Sequence, residues 1–400
     1  MKILHILDHS LPIISGYSIR SNEIMLGQKE MGYDICGVTS LKQGKTEKDI
    51  ELINNISMHR TFFIKKFIFK NQYFKNLNEI LQFKKKIENT IESFNPDIIH
   101  IHSPILNALA TLYIAKKRKI PIVYEIRAFW EDAAVSHHKT KKYSFRYQIT
   151  KKIETRISHL SNSVVTICNG LKEDIVGRGV SNHKIHIVPN GINMSTKKNT
   201  NKNVLLENLN LRNNIILGYV GSLYQYEGIV NLVENFQFLL KNISNLKLII
   251  IGDGPEKESI KKAIQKHKLY DKVILMGTVN HDEISLFYSL FDICVFPRIK
   301  MRLTELVTPL KPIEAMSFEV PVIASEVNGH KEIIKNNETG LLYNYESKND
   351  LLNKIKILIN NDDLRNNLIL NAKNYILKER NWKKNINKYK QIYESIICEN

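Results

Sequence analysis

Residues 295–316 read VFPRIKMRLTELVTPLKPIEAM, and this stretch decides the fold class. The apolar run Ile293–Phe296 at its start has the length and composition of an interior strand of a parallel sheet. Pro297 ends that strand because proline cannot donate to the hydrogen-bond ladder of a central strand. Thr308 and Pro309 predict the start of a helix, with a hydroxyl at the cap and proline in the first turn. A buried strand, a basic loop and a helix are therefore expected in succession, as in α/β folds.

The loop and the predicted helix start are strongly cationic. Four basic side chains surround them: Arg298, Lys300, Arg302 and Lys311. A helix start also presents unpaired N–H groups and a partial positive charge, so we expect an anion here, a phosphate or a diphosphate. Glu305 and Glu314 lie within this basic stretch and can accept hydrogen bonds from hydroxyls. Phosphate together with hydroxyls indicates a nucleotide sugar. The alternative is a solvated basic loop with Glu314 on a helix surface.

Composition sets the broad limits. The chain has 400 residues and is 43% hydrophobic, enough to bury the cores of two or three domains. It contains no apolar run of about 18 residues that would span a bilayer, and its first residues do not resemble a secretory signal, so we expect a cytosolic protein. The four cysteines, Cys36, Cys168, Cys294 and Cys398, lie far apart, which favours reduced thiols over a disulfide or a zinc site. No metal or cofactor is expected.

The net charge of +18 favours anionic partners. Candidates are nucleic acid, anionic lipid headgroups and phosphorylated substrates. The alternative is a composition rich in lysine throughout, with no partner implied.

The N-terminal segment has the pattern of a strand, a loop, a helix and a second strand. Residues 2–7 form the first predicted strand, a helix runs to about Met31, and residues 35–39 form the second strand. Gly16 lies in the first turn, where a glycine lets the backbone approach a phosphate closely. The dinucleotide fingerprint GxGxxG is absent, so Gly16 either contacts phosphate or only permits the turn.

Two further predicted strands, residues 98–102 and 122–126, end at polar residues. A helix-length segment separates them, which predicts a parallel sheet with ligands at the carboxyl ends of its strands. His102 follows the first of these strands, although it is as readily a loop histidine with no chemical role. After the second strand, Arg127 is a candidate contact for an anion or a sugar, and Glu131 or Asp132 for a substrate hydroxyl.

Two basic segments of the first half are further candidates for binding. Residues 60–75, RTFFIKKFIFKNQYFK, interleave aromatic and basic side chains without an acid, and residues 139–152 are also basic. Such a segment can lie on an anionic bilayer surface or stack nucleic-acid bases, the second being disfavoured here. The alternative is that the aromatic side chains complete the local core.

The second half repeats the strand and helix alternation after a polar run near residue 195, where we place a domain boundary. Its strands end at turns that contain Gly221 and Ser222, then Gly252 and Gly254, as expected at a nucleotide-binding edge. Residues 381–398 alternate apolar and charged side chains at helical spacing.

Together these segments resemble the retaining glycosyltransferases of the GT-B class, specifically family 4. The residues that carry the resemblance run over nearly the whole chain: the loop at Gly16, VPNGI at 188–192, IGDGP at 251–255, the segment 292–297, EAM at 314–316 and GL at 340–341. LDHSLP at 7–12, YEIRAFWEDAA at 124–134 and RLTELVTPLKPIEAM at 302–316 are also similar to a subgroup found near exosortase-linked exopolysaccharide genes.

The resemblance implies an α/β protein of two Rossmann-like domains whose parallel sheets face a central cleft. Residues 1–195 form the acceptor side, with the C-terminal helix 381–400 packing back on it, and residues 196–380 bind the nucleotide sugar. In the family, the glutamate matching Glu314 holds the ribose, and the backbone around Thr308, Pro309 and Leu310 binds diphosphate or sugar. The acceptor side includes His102, Arg127, Glu131 and Asp132.

Departures from the family pattern affect the predicted site. Glu305 and Glu314 have eight residues between them where the family usually has seven, which weakens the assignment of Glu305 to the donor sugar. Ser222 and Glu227 stand where the family commonly has two diphosphate-binding cations. We expect Arg298, Arg302 and Lys311 to supply that charge, and removal of Glu227 to matter far less than removal of Arg298 or Lys311. Arg127 replaces a frequent histidine, so no general base is assigned.

The favoured function is transfer of a sugar from a nucleoside diphosphate, UDP being the most frequent in the family, to a lipid-linked or polysaccharide acceptor at the inner membrane face. One rival is a nucleotide-sugar epimerase of the same fold, which has no acceptor. Another is a non-catalytic basic scaffold that binds membrane or nucleic acid, which predicts no nucleotide affinity.

Overall fold

A computed structural model describes residues 1–44, 48–62, 72–137, 139–194 and 202–398, and the side chains of 72–77 and 281 are outside the description. By their contacts the residues form two compact units. Unit 1 comprises Met1–Asn190 and Trp382–Asn400, and unit 2 comprises Gly191–Asn381. The boundary expected near residue 195 falls in the segment 195–201, outside the described residues.

Unit 1 is built on one sheet whose strand order is β3-β4-β2-β1-β5-β6-β7-β8. Every pairing in this sheet is parallel except that of β3 with β4. The strands are β1 (Lys2–Leu7), β2 (Asp34–Thr39), β3 (Ile50–Ile53), β4 (Ile56–Arg60), β5 (Ile98–His102), β6 (Ile122–Ile126), β7 (Ser163–Thr166) and β8 (Ile185–Ile187). Because β1 has β2 on one side and β5 on the other, the strand order reverses between β1 and β5.

The helices of unit 1 include the last helix of the chain. They are α1 (Gly16–Glu30), α2 (Gln72–Phe94), α3 (Ile105–Lys117), α4 (Trp130–Ser136), α5 (Phe145–Leu160), α6 (Asn169–Gly177) and α17 (Trp382–Cys398). The apolar face of α17 shares a core with β1 and α1, through side chains such as Tyr389, Tyr393 and Ile3. The C-terminal helix therefore belongs to unit 1 by its packing.

A β-hairpin in unit 1 was not identified from the sequence. Strands β3 and β4 pair antiparallel, and the turn between them is Asn54 and Asn55, with φ of 51° and 60°. Asparagine tolerates positive φ better than other side chains, and two such residues match the two-residue turn of a hairpin. The Asn-Asn pair was therefore the available signal, and the sheet of unit 1 is not wholly parallel.

Unit 2 is built on a parallel sheet with the strand order β11-β10-β9-β12-β13-β14. Its strands are β9 (Ile215–Val220), β10 (Leu246–Ile251), β11 (Val273–Gly277), β12 (Ile293–Phe296), β13 (Val322–Ser325) and β14 (Leu341–Tyr343). Its helices are α7 (Lys202–Asn208), α8 (Ile229–Glu234), α9 (Phe236–Asn242), α10 (Lys257–Lys266), α11 (Ile284–Leu290), α12 (Arg302–Leu306), α13 (Lys311–Ser317), α14 (Asn328–Lys331), α15 (Lys348–Asn360) and α16 (Asp362–Glu379). The order reverses between β9 and β12.

The apolar runs of the sequence account for both cores. Residues of β9, β10 and β12 are almost wholly buried, because helices cover both faces of a parallel sheet and leave its strands no polar face. The predicted strand at residues 293–296 coincides with β12. Among the described residues, no helix is both long and apolar enough to cross a bilayer.

Candidate functional site

Three charged side chains meet at the carboxyl edge of the unit 2 sheet. Arg298 follows β12, Glu227 follows β9, and Lys311 begins α13. Arg298 Nη2 donates to Glu227 Oε1 at 3.0 Å and Arg298 Nε donates to Oε2 at 3.3 Å, while Lys311 Nζ donates to Oε1 at 2.5 Å. Because β9 and β12 flank the point where the strand order reverses, this cluster occupies the position where open α/β sheets bind ligands.

Burial makes the charges of the cluster interdependent. Glu227 is 1% exposed and Arg298 is 7% exposed. Burial alone would raise the pKa of Glu227, but Arg298 and Lys311 outweigh it and lower that pKa to about 2. Burial lowers the pKa of Lys311, and Glu227 opposes that shift. The cluster thus holds two cations against one carboxylate, which leaves a net positive charge for an anionic ligand.

Part of the donor capacity of the two cations is uncommitted among the described residues. Arg298 has five N–H groups. Besides its two hydrogen bonds to Glu227, it donates from Nη1 to the carbonyl of Val307 at 3.3 Å. Lys311 has three N–H groups and its one recorded acceptor is Glu227. Remaining N–H groups on both side chains can therefore donate to phosphate oxygens while Glu227 stays bound.

Two glycines let the strand ends of unit 2 approach this cluster closely. A Cβ at Gly221 would lie 2.0 Å from Lys311 Cε, and a Cβ at Gly252 would lie 1.9 Å from the carbonyl oxygen of Gly221. Both have positive φ, 147° and 139°. Gly221 therefore allows the stem of Lys311 to cross the end of β9. Gly254 lies in the turn that packs on Leu223, and Ser222 is an exposed residue of the β9 turn.

Glu314 lies on α13 one turn after Lys311. Burial raises the pKa of Glu314 to about 7, and the positive charge of Lys311 opposes this shift. The carboxyl group is thus close to its titration midpoint near neutral pH. In its ionised form it can accept hydrogen bonds from two hydroxyls.

Two buried polar atoms beside this cluster have no hydrogen-bond partner among the described residues. They are Thr308 Oγ1 and His330 Nε2. His330 donates from Nδ1 to the carbonyl of Ser325 at 2.8 Å, so Nε2 is the unprotonated acceptor of a neutral ring. Burial lowers the pKa of His330 to about 3, with Arg298 adding to the effect. Buried polar atoms are nearly always paired, so a ligand or water is expected to satisfy these two.

The helix predicted to start at Thr308 and Pro309 starts later. Helix α13 begins at Lys311, and Pro312, not Pro309, takes the first-turn position. A residue before proline is disfavoured in the α region, which keeps Thr308 outside the helix. A short helix, α12, occupies part of the predicted loop instead, with the Thr304 hydroxyl bonded at its start. Helix α13 has seven residues, and the predicted anion contacts of the backbone at Thr308 to Leu310 therefore lie in the segment before it.

Other predicted donor-site residues lie outside the charge cluster. Arg302 is the first residue of α12, and Leu310 is the residue before α13. The Glu305 carboxylate lies 3.4 Å from the backbone N of Asn328 and lines a pocket of about 240 Å³ with Lys300 and Glu326. Gly16 is the first residue of α1 in unit 1. The structure thus brings together Arg298, Lys311, Glu314 and Gly221, and gives Glu305 a separate pocket.

The four predicted acceptor-side residues do not have free side chains. His102, Glu131 and Asp132 are almost fully buried, at 0%, 1% and 4% exposure. Glu131 accepts from Arg178 Nη2 at 2.7 Å, and Asp132 accepts from the Tyr147 hydroxyl at 2.8 Å. Glu131 Oε2 has no hydrogen-bond partner among the described residues. The contacts of these three residues with an acceptor stay a prediction, although most of their polar atoms are already engaged inside unit 1.

Arg127 is likewise directed into unit 1. Its guanidinium donates to Glu125 Oε1 at 2.9 Å, to the carbonyl of Tyr17 at 2.6 Å and to His102 Nδ1 at 2.6 Å. The expected anion or sugar contact of Arg127 is therefore replaced by a structural role, the positioning of Glu125 and His102.

Arg127 is the first donor of a buried hydrogen-bond network in which a donor and an acceptor can be assigned to each bond without conflict. Since His102 Nδ1 accepts from Arg127, His102 Nε2 carries the proton and donates to His5 Nδ1 at 2.9 Å. His5 Nε2 then donates to Gln28 Oε1 at 2.8 Å, and Gln28 Nε2 donates to the Tyr393 hydroxyl at 2.8 Å. Both rings are neutral in this arrangement, in agreement with burial, which lowers the pKa of His5 to about 3 and holds that of His102 well below its usual range.

The network closes on Glu125. The Tyr393 hydroxyl donates to His100 Nδ1 at 2.7 Å, and His100 Nε2 lies 3.4 Å from Glu125 Oε2. Glu125 also accepts from Arg20 Nε at 3.0 Å and from the Tyr389 hydroxyl. Burial would raise the pKa of Glu125, but Arg20 and Arg127 hold it well below its usual range.

His5, His100 and His102 form the group of side chains, within the described ranges, that are close enough together to share a metal ion. Five of their six ring nitrogens are hydrogen-bonded in the network, the exception among the described residues being His100 Nε2, and Arg20 and Arg127 place positive charge beside them. A cation would have to displace these bonds, so the group fits a hydrogen-bond network better than a metal site.

Sequence reasoning missed Glu227 as part of the site and missed the network around Glu125. One signal was available for the second: Glu125 is a charged residue inside the otherwise apolar strand IVYEI, where an unpaired carboxylate would be costly. No comparable signal in the sequence marked Glu227, because its partners, Arg298 and Lys311, follow a different strand, β12.

Two family models match the chain in succession. One, described as Glycosyltransferase Family 4, matches residues 22–196, and the other, described as Glycosyl transferases group 1, matches residues 201–375. Together they cover most of both units. The two matches support a family 4 glycosyltransferase of the GT-B class.

Solved structures and a curated relative of this glycosyltransferase agree with that assignment. The sucrose-phosphate synthase of Thermosynechococcus elongatus superposes with a TM-score of 0.79 at 18% identity, covering 100% of each chain. HepE of Anabaena, solved in complex with UDP, superposes with a TM-score of 0.74 at 14% identity, covering 99% of this chain and 100% of that one. These likenesses confirm the predicted GT-B fold with two Rossmann-like domains.

The curated relative is an enzyme of lipid glycosylation by its name. The alpha-monoglucosyldiacylglycerol synthase of Acholeplasma laidlawii is 26% identical over 374 residues, which cover 90% of this chain and 89% of the relative. The predicted glycosyltransferase class is therefore confirmed.

Proposed function

We propose that this glycosyltransferase transfers a hexosyl group, with retention, from a nucleoside diphosphate sugar to a lipid-linked or polysaccharide acceptor. UDP is the favoured nucleotide. The product belongs to cell-envelope or exopolysaccharide synthesis, and the enzyme works at the cytoplasmic face of the membrane.

The observation that carries the proposal is the cluster of Arg298, Lys311 and Glu227 at the switch point of the unit 2 sheet. The departing nucleoside diphosphate gains negative charge as the glycosidic bond breaks. Preorganised N–H donors aimed at that charge stabilise the transition state, and they need no reorganisation when they are already fixed. Glu227 holds the side chains of Arg298 and Lys311 in place, since it is buried and accepts hydrogen bonds from both. Arg298 and Lys311 are therefore the proposed catalytic groups.

Glu314 is the proposed ribose contact. Its ionised carboxylate can accept from two hydroxyls, and Glu314 lies one turn from Lys311 on α13. Thr308 and His330 support a ligand of this kind. The Thr308 hydroxyl can donate to a phosphate oxygen, while His330 Nε2 requires a donor such as a sugar hydroxyl.

The comparisons support the choice of donor and acceptor class. A structural neighbour is described in complex with UDP, and the curated relative is named for diacylglycerol glycosylation. Side-chain cations handle the diphosphate charge in this proposal, so no metal is required and no general base is assigned. A contact of Glu305 with the donor sugar stays a prediction, because Glu305 lines a pocket apart from the charge cluster.

A donor-hydrolysis screen tests the proposal. Purified protein is incubated with UDP-, GDP- and ADP-sugars, and release of free nucleoside diphosphate is measured with and without lipid acceptor. We expect release from one donor class, accelerated by acceptor. Release that never depends on acceptor, or interconversion of the sugar without release, would favour the epimerase.

Variants link the activity to the cluster. Arg298→Ala should lower turnover about a hundredfold, since one such donor contributes about 3 kcal/mol to the barrier. Arg212→Ala is the matched control, because Arg212 pairs with Glu207 on the surface of the same unit, with 61% of its side chain exposed. Equal losses in both variants would reject the assignment of Arg298.

A further inference from the structure

An exposed aromatic and basic surface lies between α4 and α5 of unit 1. Phe145 is 83% exposed, Tyr143 is 69% exposed and Ile149 is 40% exposed. Large apolar side chains this exposed and this close in sequence are unusual on a soluble surface and mark interaction sites. We call residues 139–152 the α5 surface. Residue 138, which precedes this surface in the chain, lies outside the described residues.

The α5 surface carries positive charge alone. Its six cations are Lys139, Lys141, Lys142, Arg146, Lys151 and Lys152, and no acidic residue occurs from 133 to 153. The flanking acids, Asp132 and Glu154, are buried at 4% and 0% exposure. They do not neutralise the cations at the surface, so a partner meets only positive charge there.

The surface is held in place by its own contacts. Ser144 caps α5 by accepting from the backbone N of Tyr147 at 3.3 Å, and Thr140 and Ser144 hydroxyls lie 2.8 Å apart. The rings of Tyr143 and Tyr147 meet edge to face at 6.1 Å. The Tyr147 hydroxyl is in turn bonded to Asp132. Exposure of Tyr143 and Phe145 is therefore built into the fold of this segment.

Apolar and basic side chains share one face of α5. Phe145, Ile149, Lys152 and Arg156 follow each other at spacings of four, three and four residues, which places them along one stripe of the helix. The apolar members are at the helix start and the cations further along. Such a stripe suits the boundary between acyl chains and headgroups.

The topology places the start of α5 at the carboxyl edge of the unit 1 sheet. Helix α4 leaves the carboxyl end of β6, and α5 leads into the start of β7, which is parallel to β6. The first turn of α5 is therefore at the edge where β6 ends. The turn after β1 reaches the same edge with Ile14, which is 70% exposed. Ligands of open α/β sheets bind at this edge.

We propose that the α5 surface docks this protein on an anionic lipid bilayer. Tyr143, Phe145 and Ile149 enter the headgroup region, and the six cations contact lipid phosphates. The bilayer is the partner because the surface joins exposed aromatic side chains to unopposed cations, the two features that together bind peripheral proteins to anionic membranes. This inference does not depend on the donor chemistry proposed above, although docking at this edge would bring a lipid-linked acceptor to it.

A second exposed surface lacks this combination. The groove between α2 and α3 includes Tyr113, which is 65% exposed, together with Lys84 and Lys117. Glu88 and Glu92 also line it, and Arg118 is paired with Glu92. The mixed signs weaken attraction to an anionic surface, so Tyr113 provides a matched control of nearly the same exposure as Tyr143.

Vesicle cosedimentation tests the proposal on the full chain. The probes are phosphatidylcholine vesicles with and without phosphatidylglycerol. Wild type should bind the anionic vesicles at least tenfold more tightly than the neutral ones, and less tightly as salt rises. The double variant Tyr143→Ser with Phe145→Ser should bind at least tenfold more weakly, whereas Tyr113→Ser should bind like wild type. Melting temperatures of all variants should agree, since the changed side chains are exposed.

A fluorescence measurement separates insertion from loose adsorption. Phe145→Trp should show a blue shift of tryptophan emission with anionic vesicles, and Tyr113→Trp should not. The proposal is overturned if wild type binds neither kind of vesicle, or if the double variant binds anionic vesicles as tightly as wild type does. It is also overturned if wild type binds short duplex DNA and does not bind vesicles. Nucleotide binding, measured on the same samples, reports on the proposed function separately.

Discussion

At the scale of single residues, Glu227 determines how the candidate donor site is built. It stands where the family commonly has a cation, and the sequence predicted that its removal lowers turnover far less than removal of Arg298 or Lys311. The structure shows that Glu227 is buried and accepts from both of these cations. Sequence could predict the two cations but not the carboxylate between them, since the contact joins the ends of β9 and β12, about 70 residues apart in the chain.

Glu227→Ala should lower the free energy of unfolding by about 3–5 kcal/mol, because it leaves two largely buried cations without their carboxylate. Chemical denaturation measures this. Glu207→Ala is the control, and the loss of its exposed pair with Arg212 should change stability by less than about 1 kcal/mol. Similar small changes for both variants would show that Glu227 does not hold the cluster.

Glu314 predicts a pH dependence of donor binding. Its pKa is about 7 because burial disfavours the charged form. The carboxylate, which accepts both ribose hydroxyls, becomes populated as pH rises through that value. Donor affinity should therefore increase from pH 6 to pH 8 with an inflection near 7, as read from the pH profile of KM.

Glu314→Gln is the control for that profile, since an amide does not titrate. It should bind donor more weakly and with no inflection near pH 7. An inflection that persists unchanged in Glu314→Gln would assign the titration to another group.

At the scale of secondary structure, the elements were largely predictable and their partners were not. Apolar runs predicted β5, β6 and β12 with the observed bounds, because a buried parallel strand leaves a continuous hydrophobic signature. The β3–β4 hairpin was missed, and the helix after Thr308 was placed early. The packing of α17 was expected from the resemblance, but its tyrosines revealed their role only through contacts with Glu125, His100 and Gln28.

Tyr393→Phe should destabilise unit 1 although it removes one oxygen atom. The hydroxyl accepts from Gln28 and donates to His100, so its loss leaves two buried groups unpaired, at a cost of about 1–3 kcal/mol each when unsatisfied. Thermal unfolding measures the effect. Tyr113→Phe, at an exposed tyrosine of the same unit, should leave the melting temperature unchanged, and a matching shift in both variants would contradict a specific role for the network.

At the scale of the whole molecule, sequence sufficed for the fold and for part of the site. Repeated strand and helix alternation in both halves predicted two domains with parallel sheets, and the family resemblance implied that both are Rossmann-like. The basic stretch at 298–311 located the candidate donor site within the second domain. The contacts of the acceptor-side residues inside unit 1 could not be predicted, because position after a strand does not reveal which way a side chain turns. Arg127 illustrates this, since it follows β6 at the ligand edge and yet points inward to Glu125.

The central claim is that Arg298 and Lys311 bind the diphosphate of a nucleotide sugar. Isothermal titration with UDP and UMP, on wild type, Arg298→Ala, Lys311→Ala and the surface control Arg212→Ala, tests it most directly. The account predicts that wild type and the control bind UDP at least tenfold more tightly than UMP, and that both site variants lose this preference. Absence of nucleotide binding by wild type, or an undiminished preference for UDP in both site variants, would contradict it.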